Sequence, residues 1–227
     1  IVTPLAVVGY FGYTTAAQSL YDNALQKQND ELDSLSENIL FKLQEVPKDL
    51  QFLSNFYIME RYLQWSKLNE PKKIALWRGR VSDAFVSFLE SKQNYLQLRL
   101  ISPNGLEEIR VDYDNGTGQT RIKATAELQD KSANEYFNQA MLLKKGQVYF
   151  SVMDLNQERG RVIKPLTPVI RVATPVIDQD GVNRGILILN MFGDTLLDIL
   201  RASETESARH KIILTNERGQ YLFQPNH

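Results

Sequence analysis

Arg171 is the one charge in the run PVIRVATPVI, residues 168–177, and a guanidinium among apolar residues suits either of two jobs. It can present a bidentate fork to the carboxylate or phosphate of a ligand. It can equally pair with a nearby acid such as Asp154, since arginines that are buried are usually paired. The sequence leaves both open. Arg99, in YLQLRLI, carries the same chemistry, but its alternation with Leu98 and Leu100 assigns it to the polar side of a strand. Tyr149 and Ser151 flank Phe150 and share a face by the two-residue period, so they could offer two hydroxyls together. A strand tyrosine also serves as a packing residue with a wet tip. Asp154 and Asn156, in DLNQERG, are suited to capping a loop.

Other chemistries lack their residues. Without cysteine there is no disulfide, thiolate zinc site or thiol nucleophile, and only His210 and His227 supply imidazoles. No GxSxG, GxxxxGK[ST], HExxH or DxDxDG pattern occurs, so no cofactor or metal site is expected. DYDNGTGQ lacks the acidic spacing and final glutamate of an EF-hand loop and reads as a plain loop. The neighbouring pairs Glu107 with Glu108 and Glu31 with Asp33 do not converge on one point, which leaves glycosidase chemistry unsupported. The net charge of −1 gives no basic surplus for nucleic acid, and no nucleic-acid partner is expected.

A hydrophobic content of 43% over 227 residues supports a substantial core. The opening IVTPLAVVGYFGYTTA is apolar but short of the roughly 20 residues a membrane helix needs, and is expected to be the end of a transmembrane helix. From Thr14 to Glu45 there is no proline or glycine, and Leu25, Leu32, Ile39 and Val46 recur every seven residues, which predicts a long amphipathic helix interrupted at Pro47. VPKDLQFLSNFYIMERYLQW reads as a shorter helix, and Pro71 opens another with Ile74, Trp77, Val81 and Phe85 at helical spacing. The aromatics Tyr57, Tyr62, Trp65 and Trp77 read as core.

After Asn94 the period becomes two. YLQLRLI and EEIRVDY form a hairpin across SPNG, DKSANEYFNQAMLLKKG is a helix ended by Gly146, and QVYFSVMDL, PVIRVATPVI and GILILNM complete five strands. Helices followed by a meander predict an α+β layered fold, a long N-terminal helix and then a five-stranded antiparallel sheet flanked by helices. Helix returns over 192–202, and KIILTNERGQYLFQP starts a second hairpin.

In this order and spacing, YLQLRLISPNGLEEIRVD, KSANEYFNQAMLLKKGQVYFSVMDLN and PVIRVATPVIDQDGVNRGILILNM resemble double Cache domains, PAS-like sensors that lie outside the membrane in bacterial histidine kinases, diguanylate cyclases and chemoreceptors. The resemblance implies that 1–14 end a transmembrane helix, 15–46 form a signalling or dimerisation helix, 47–202 form a membrane-distal PAS-like unit, and 203–227 begin a smaller membrane-proximal one.

It also implies a pocket on the distal sheet, roofed by the segment with Tyr136. In amino-acid-binding relatives a roof arginine with aromatics holds the carboxylate, and an aspartate after the last strand holds the amino group. Here the matching positions are Asn134, Tyr136 and Phe137, then Tyr149 and Ser151, and Asn190 stands in place of the aspartate. Both charged anchors are absent, so an amino-acid mode is not expected. Arg171, Tyr149, Ser151, Tyr136, Asn134, Asn190 and Arg99 are the expected ligand-binding residues. The function implied is a non-enzymatic small-molecule sensor on the periplasmic side of a bacterial inner membrane, homodimeric, biasing transmembrane helices and a cytoplasmic kinase or cyclase. The alternative is a structural module that binds no small molecule and serves dimerisation or the docking of a periplasmic protein.

Overall fold

The change of period near Asn94 marks the boundary between a helical layer and a sheet. A computed structural model describes residues 2–206, 212–215, 219 and 221–223. Three helices come first: α1 (Val2–Ser54), α2 (Tyr57–Lys67) and α3 (Pro71–Ser91). Residues 1–41 and 42–227 form two compact units. In the first, α1 leaves Leu25 and Leu32 of the seven-residue repeat exposed. No helix among the described residues is long and apolar enough to cross a membrane.

Pro47 lies inside α1 and does not interrupt it, contrary to the expected boundary after 46. A proline in a helix interior costs about 3 kcal/mol or more. Val46, Leu50 and Leu53 are buried in the second unit, and each fully buried side chain of this kind contributes about 1.5–3 kcal/mol. Packing therefore outweighs the break. On α3, Val81, Phe85 and Leu89 form the buried stripe at four-residue spacing. On α2, Tyr62 is buried as expected, whereas Tyr57 is exposed and meets Trp77 edge-on.

The sheet has more strands than the five expected. β1 (Tyr95–Ile101), β2 (Glu107–Asp114), β3 (Gln119–Ile122), the helix α4 (Glu135–Met141), β4 (Tyr149–Phe150), β5 (Asp154–Leu155), a small hairpin of β6 (Gln157–Glu158) and β7 (Arg161–Val162), then β8 (Pro168–Ile177) and β9 (Asn183–Phe192) follow in turn. The order is β3-β2-β1-β9-β8-β4, with β5 also on β8, and every pairing is antiparallel. β3 is polar and largely exposed, so it has no apolar alternation to reveal it. QVYFSVMDL splits into β4 and β5 because Ser151 turns its hydroxyl onto the β8 backbone, accepting from the Arg171 N–H at 2.9 Å. Helix α4 ends at Met141, before Gly146.

Both faces of the sheet are covered. α3 packs on β1, β2 and β3, while α4 packs on β4, β8 and β9. On the α4 side, Tyr136, Phe137 and Ala140 meet Ile101, Ala173, Ile186 and Ile188. Gly185 lets β9 approach β1, since its φ is +119° and a Cβ there would lie 2.0 Å from the Ile101 carbonyl oxygen. After β9, α5 (Asp194–Glu206) precedes β10 (Leu214–Thr215) and β11 (Tyr221–Phe223), which pair antiparallel as the expected second hairpin. His210, Lys211 and His227 lie outside the described residues.

Candidate functional site

The register of the central strands gathers polar side chains on the α4 side. Arg99 of β1 pairs with Arg110 of β2, Gln97 of β1 with Asn190 of β9, and Asn190 with Arg171 of β8. Like charges directly opposite each other, as at Arg99 and Arg110, need acids between them. Glu107 supplies one: its Oε1 accepts from Arg99 Nη1 at 3.3 Å and lies 4.0 Å from Arg110 Nη1, while its Oε2 accepts from the Gln129 backbone N–H.

Arg99 is not on a wet polar face, as its alternation suggested, but only 3% exposed. Covering both faces of a sheet removes the distinction that alternation normally reports. Its Nη2 donates to Asn190 Oδ1 at 2.8 Å, its Nη1 lies 3.4 Å from the Tyr136 hydroxyl, and its buried Nε has no partner. Asn190 passes the chain on, donating from Nδ2 to Gln97 Oε1 at 3.0 Å.

Arg171 approaches from the other side. Its Nη1 donates to Asp154, the structural pairing that the sequence left open. Asp154 is the more exposed partner, with its side chain 40% accessible against 11% for Arg171. Tyr136 sits between the two arginines: the Arg99 and Arg171 guanidinium carbons lie 5.6 and 5.9 Å from its ring centroid, within cation–π range.

Tyr149 is half-buried against the same apolar cluster, and burial, then Glu135, push its hydroxyl pKa up. Ser151 is committed to backbone, since its hydroxyl also donates to the Val152 carbonyl at 2.8 Å. Asn134 is not brought to the cluster; it is the exposed N-cap of α4. Thus Arg99, Asn190, Arg171 and Tyr136 converge with Tyr149 beside them, while Asn134 stands apart.

Sequence reasoning missed Gln97, Glu107, Arg110, Gln129, Lys131 and Glu158. Lys131 donates to Gln129 Oε1 at 2.8 Å, and burial, then Arg99, lower the pKa of its ammonium. Arg110 is clamped between Asp112, at 2.7 and 2.9 Å, and Glu158. The available signal was the density of charge in EEIRVDYD, four acids and one arginine in eight residues, too many for one wet edge. Among the described residues no group of His, Cys, Asp and Glu is placed to hold a metal.

The fold is a central antiparallel sheet with helices on one face and a short roof helix on the other. It is shared by a domain of a sensory box/GGDEF family protein from Vibrio parahaemolyticus, at TM-score 0.72 and 23% identity over 90% of this chain and 73% of that one. The extracellular domain of the histidine kinase vpHK1S-Z8 matches at TM-score 0.65 and 24% identity over 79% and 61%. The ligand-binding domain of the Campylobacter jejuni chemoreceptor Tlp3, in complex with 4-methylisoleucine, matches at 0.62 and 15% over 91% and 71%. At these identities the shared property is the fold. The family model described as "Bacterial histidine kinase, sensor domain" matches residues 58–227. The chain belongs to that family and is a sensor domain. No curated protein sequence matches it.

Proposed function

We propose that this sensor domain lies on the periplasmic side of a bacterial inner membrane and binds a small organic acid between Arg99, Asn190, Arg171 and Tyr136. The observation that carries the reading is Arg99, a nearly fully buried guanidinium with an unpartnered Nε. A buried donor without a partner costs free energy, and a ligand oxygen would repay it. Arg171 sits across the Tyr136 ring with its acid partner at the surface, so a carboxylate can replace Asp154 there without leaving a buried charge alone. Asn190 brings no charge for an ammonium group, which favours acids over the branched amino acid that the Tlp3 domain holds.

In this reading residues 1–14 end a transmembrane helix, α1 carries the dimer seam of a homodimer, and a histidine kinase or diguanylate cyclase follows in the full protein. Ligand preference for one of two sheet and helix arrangements biases the membrane helices by its differential affinity. A thermal-shift screen of organic acids, amino acids, amines and nucleotides tests it, because saturating ligand raises the melting temperature. An organic acid is the expected stabiliser. A protein stabilised by none of these classes would instead be the non-binding structural module.

A further inference from the structure

Beside the di-arginine cluster of Arg99 and Arg171, four N–H groups converge on one carboxylate. Glu158 accepts from Gln97 Nε2 at 3.3 Å, from Arg110 Nη1 at 3.1 Å and also from Arg110 Nη2, and from Gln129 Nε2. The donors come from β1, β2 and the loop before α4, all of them rooted in the sheet or packed beside it. Gln97 and Arg110 are buried. The acceptor comes from elsewhere: Glu158 lies on the β6–β7 hairpin, whose two strands pair only with each other.

That hairpin is exposed from Arg159 to Val162, and an isolated two-stranded hairpin is marginal in water. Beyond Glu158, one further bond from it to the loop is from the Arg159 N–H to Gln129 Oε1 at 3.3 Å. Beneath it lies a groove of about 810 Å³, lined among others by Arg110, Gln129, Lys123 and Glu158. Burial opposes ionisation of Glu158, yet the hydrogen bonds and charge of Arg110 outweigh it and hold this carboxyl at about 2, so these donors favour the ionised form.

We propose that Arg110, Gln97 and Gln129 form a second carboxylate-binding site, occupied at rest by Glu158 as a tethered stand-in, and that an external carboxylate displaces Glu158 and frees the β6–β7 hairpin. The exchange replaces one carboxylate by another, so the charge around Arg110 is unchanged and only the tether is released. A tethered group competes at an effective concentration in the millimolar range, which masks the site in the intact chain. Gln97 belongs to both sites, since it also accepts from Asn190.

The test compares the wild-type chain with Glu158→Ala, titrating sodium acetate against sodium chloride at equal ionic strength. Two readouts serve: melting temperature, and the rate of trypsin cleavage after Arg159 and Arg161. Without its stand-in the variant should show a saturable, acetate-specific rise in melting temperature at concentrations at least tenfold lower than wild type. Its hairpin should be cut about tenfold faster than wild type in the absence of acetate, in keeping with loss of a charge-assisted latch. Glu158→Gln, which keeps the volume, should show the faster cleavage too. An acetate response equal to that of wild type, or unchanged cleavage in both variants, overturns the proposal. Glu158→Ala combined with Arg171→Ala separates the two sites: acetate stabilisation that persists supports the Arg110 site. Stabilisation that disappears shows that acetate was reporting on the di-arginine cluster, and refutes it.

Discussion

Glu107→Gln is the most informative single change to the buried charge cluster. The carboxylate is fully buried, lies 3.3 Å from Arg99 and 4.0 Å from Arg110, and both arginine side chains are nearly inaccessible. At an effective dielectric constant of about 20, each of these pairings is worth about 4–5 kcal/mol of gross attraction. The glutamine no longer bears the desolvation of a charge and can still accept a hydrogen bond, so the net loss is smaller, about 3–5 kcal/mol, as for other buried pairs broken on one side. For a chain of this size that is a fall in melting temperature of about 6–20 °C. Circular dichroism during heating at pH 7, with urea unfolding to check that the slope is unchanged, measures it. A loss below about 1 kcal/mol, the level of an exposed ion pair, would refute the view that Arg99 and Arg110 depend on Glu107 for their charge balance.

Three further outcomes follow from the same geometry. Tyr95 is fully buried and donates to Asp49 of α1 at 2.5 Å, so Tyr95→Phe should cost about 1.5–3 kcal/mol in a urea titration, with Asp49 still paired to Lys92 at 3.3 Å; no loss would show that the contact does not tie β1 to α1. Glu158 ionises at about 2 when folded, below its usual 4.5, so its contribution is complete above 4.5 and is lost as pH falls toward 2. NMR shifts of residues 157–162 should report the hairpin detaching in that window, and a hairpin unchanged down to pH 2 would contradict the latch. Gly185→Ala should lose more than about 3 kcal/mol, since strain at positive φ adds to a clash with backbone; a soluble variant melting like wild type would contradict the close approach of β9 to β1.

Much of the fold was legible because its elements carry strong periods. The helical spacing of Val81 and Phe85, the alternation in β1 and β2, and the apolar runs of β8 and β9 set off by a DQDG turn identify themselves. Failures came where local signals met tertiary packing. Pro47 breaks a helix in isolation, but Val46, Leu50 and Leu53 hold α1 through it. Arg99 looks wet by alternation, yet α4 covers that face. The candidate site was half legible for the same reason: Arg171 was visible as a lone charge in an apolar strand, whereas Arg110 alternates with Ile109 and Val111 and reads as the polar side of its strand, and Glu107 as one of two neighbouring acids that do not converge. Asn134, placed by resemblance alone, occupies the N-cap position of α4 outside the cluster. Glu158 could not be foreseen, because its partners lie 29, 48 and 61 residues away.

The central claim is that a small organic acid is held by the two arginines on either side of Tyr136. Calorimetric titration of the tightest acid from the thermal-shift screen into the wild-type domain and into Arg171→Ala tests it most directly, because Asp154 is left partly exposed rather than as a buried unpaired charge. Loss of one charge-assisted bidentate contact predicts affinity weaker by about 2–3 kcal/mol, roughly thirtyfold to 150-fold. Equal affinity for both proteins, with the circular dichroism spectrum unchanged, would contradict it.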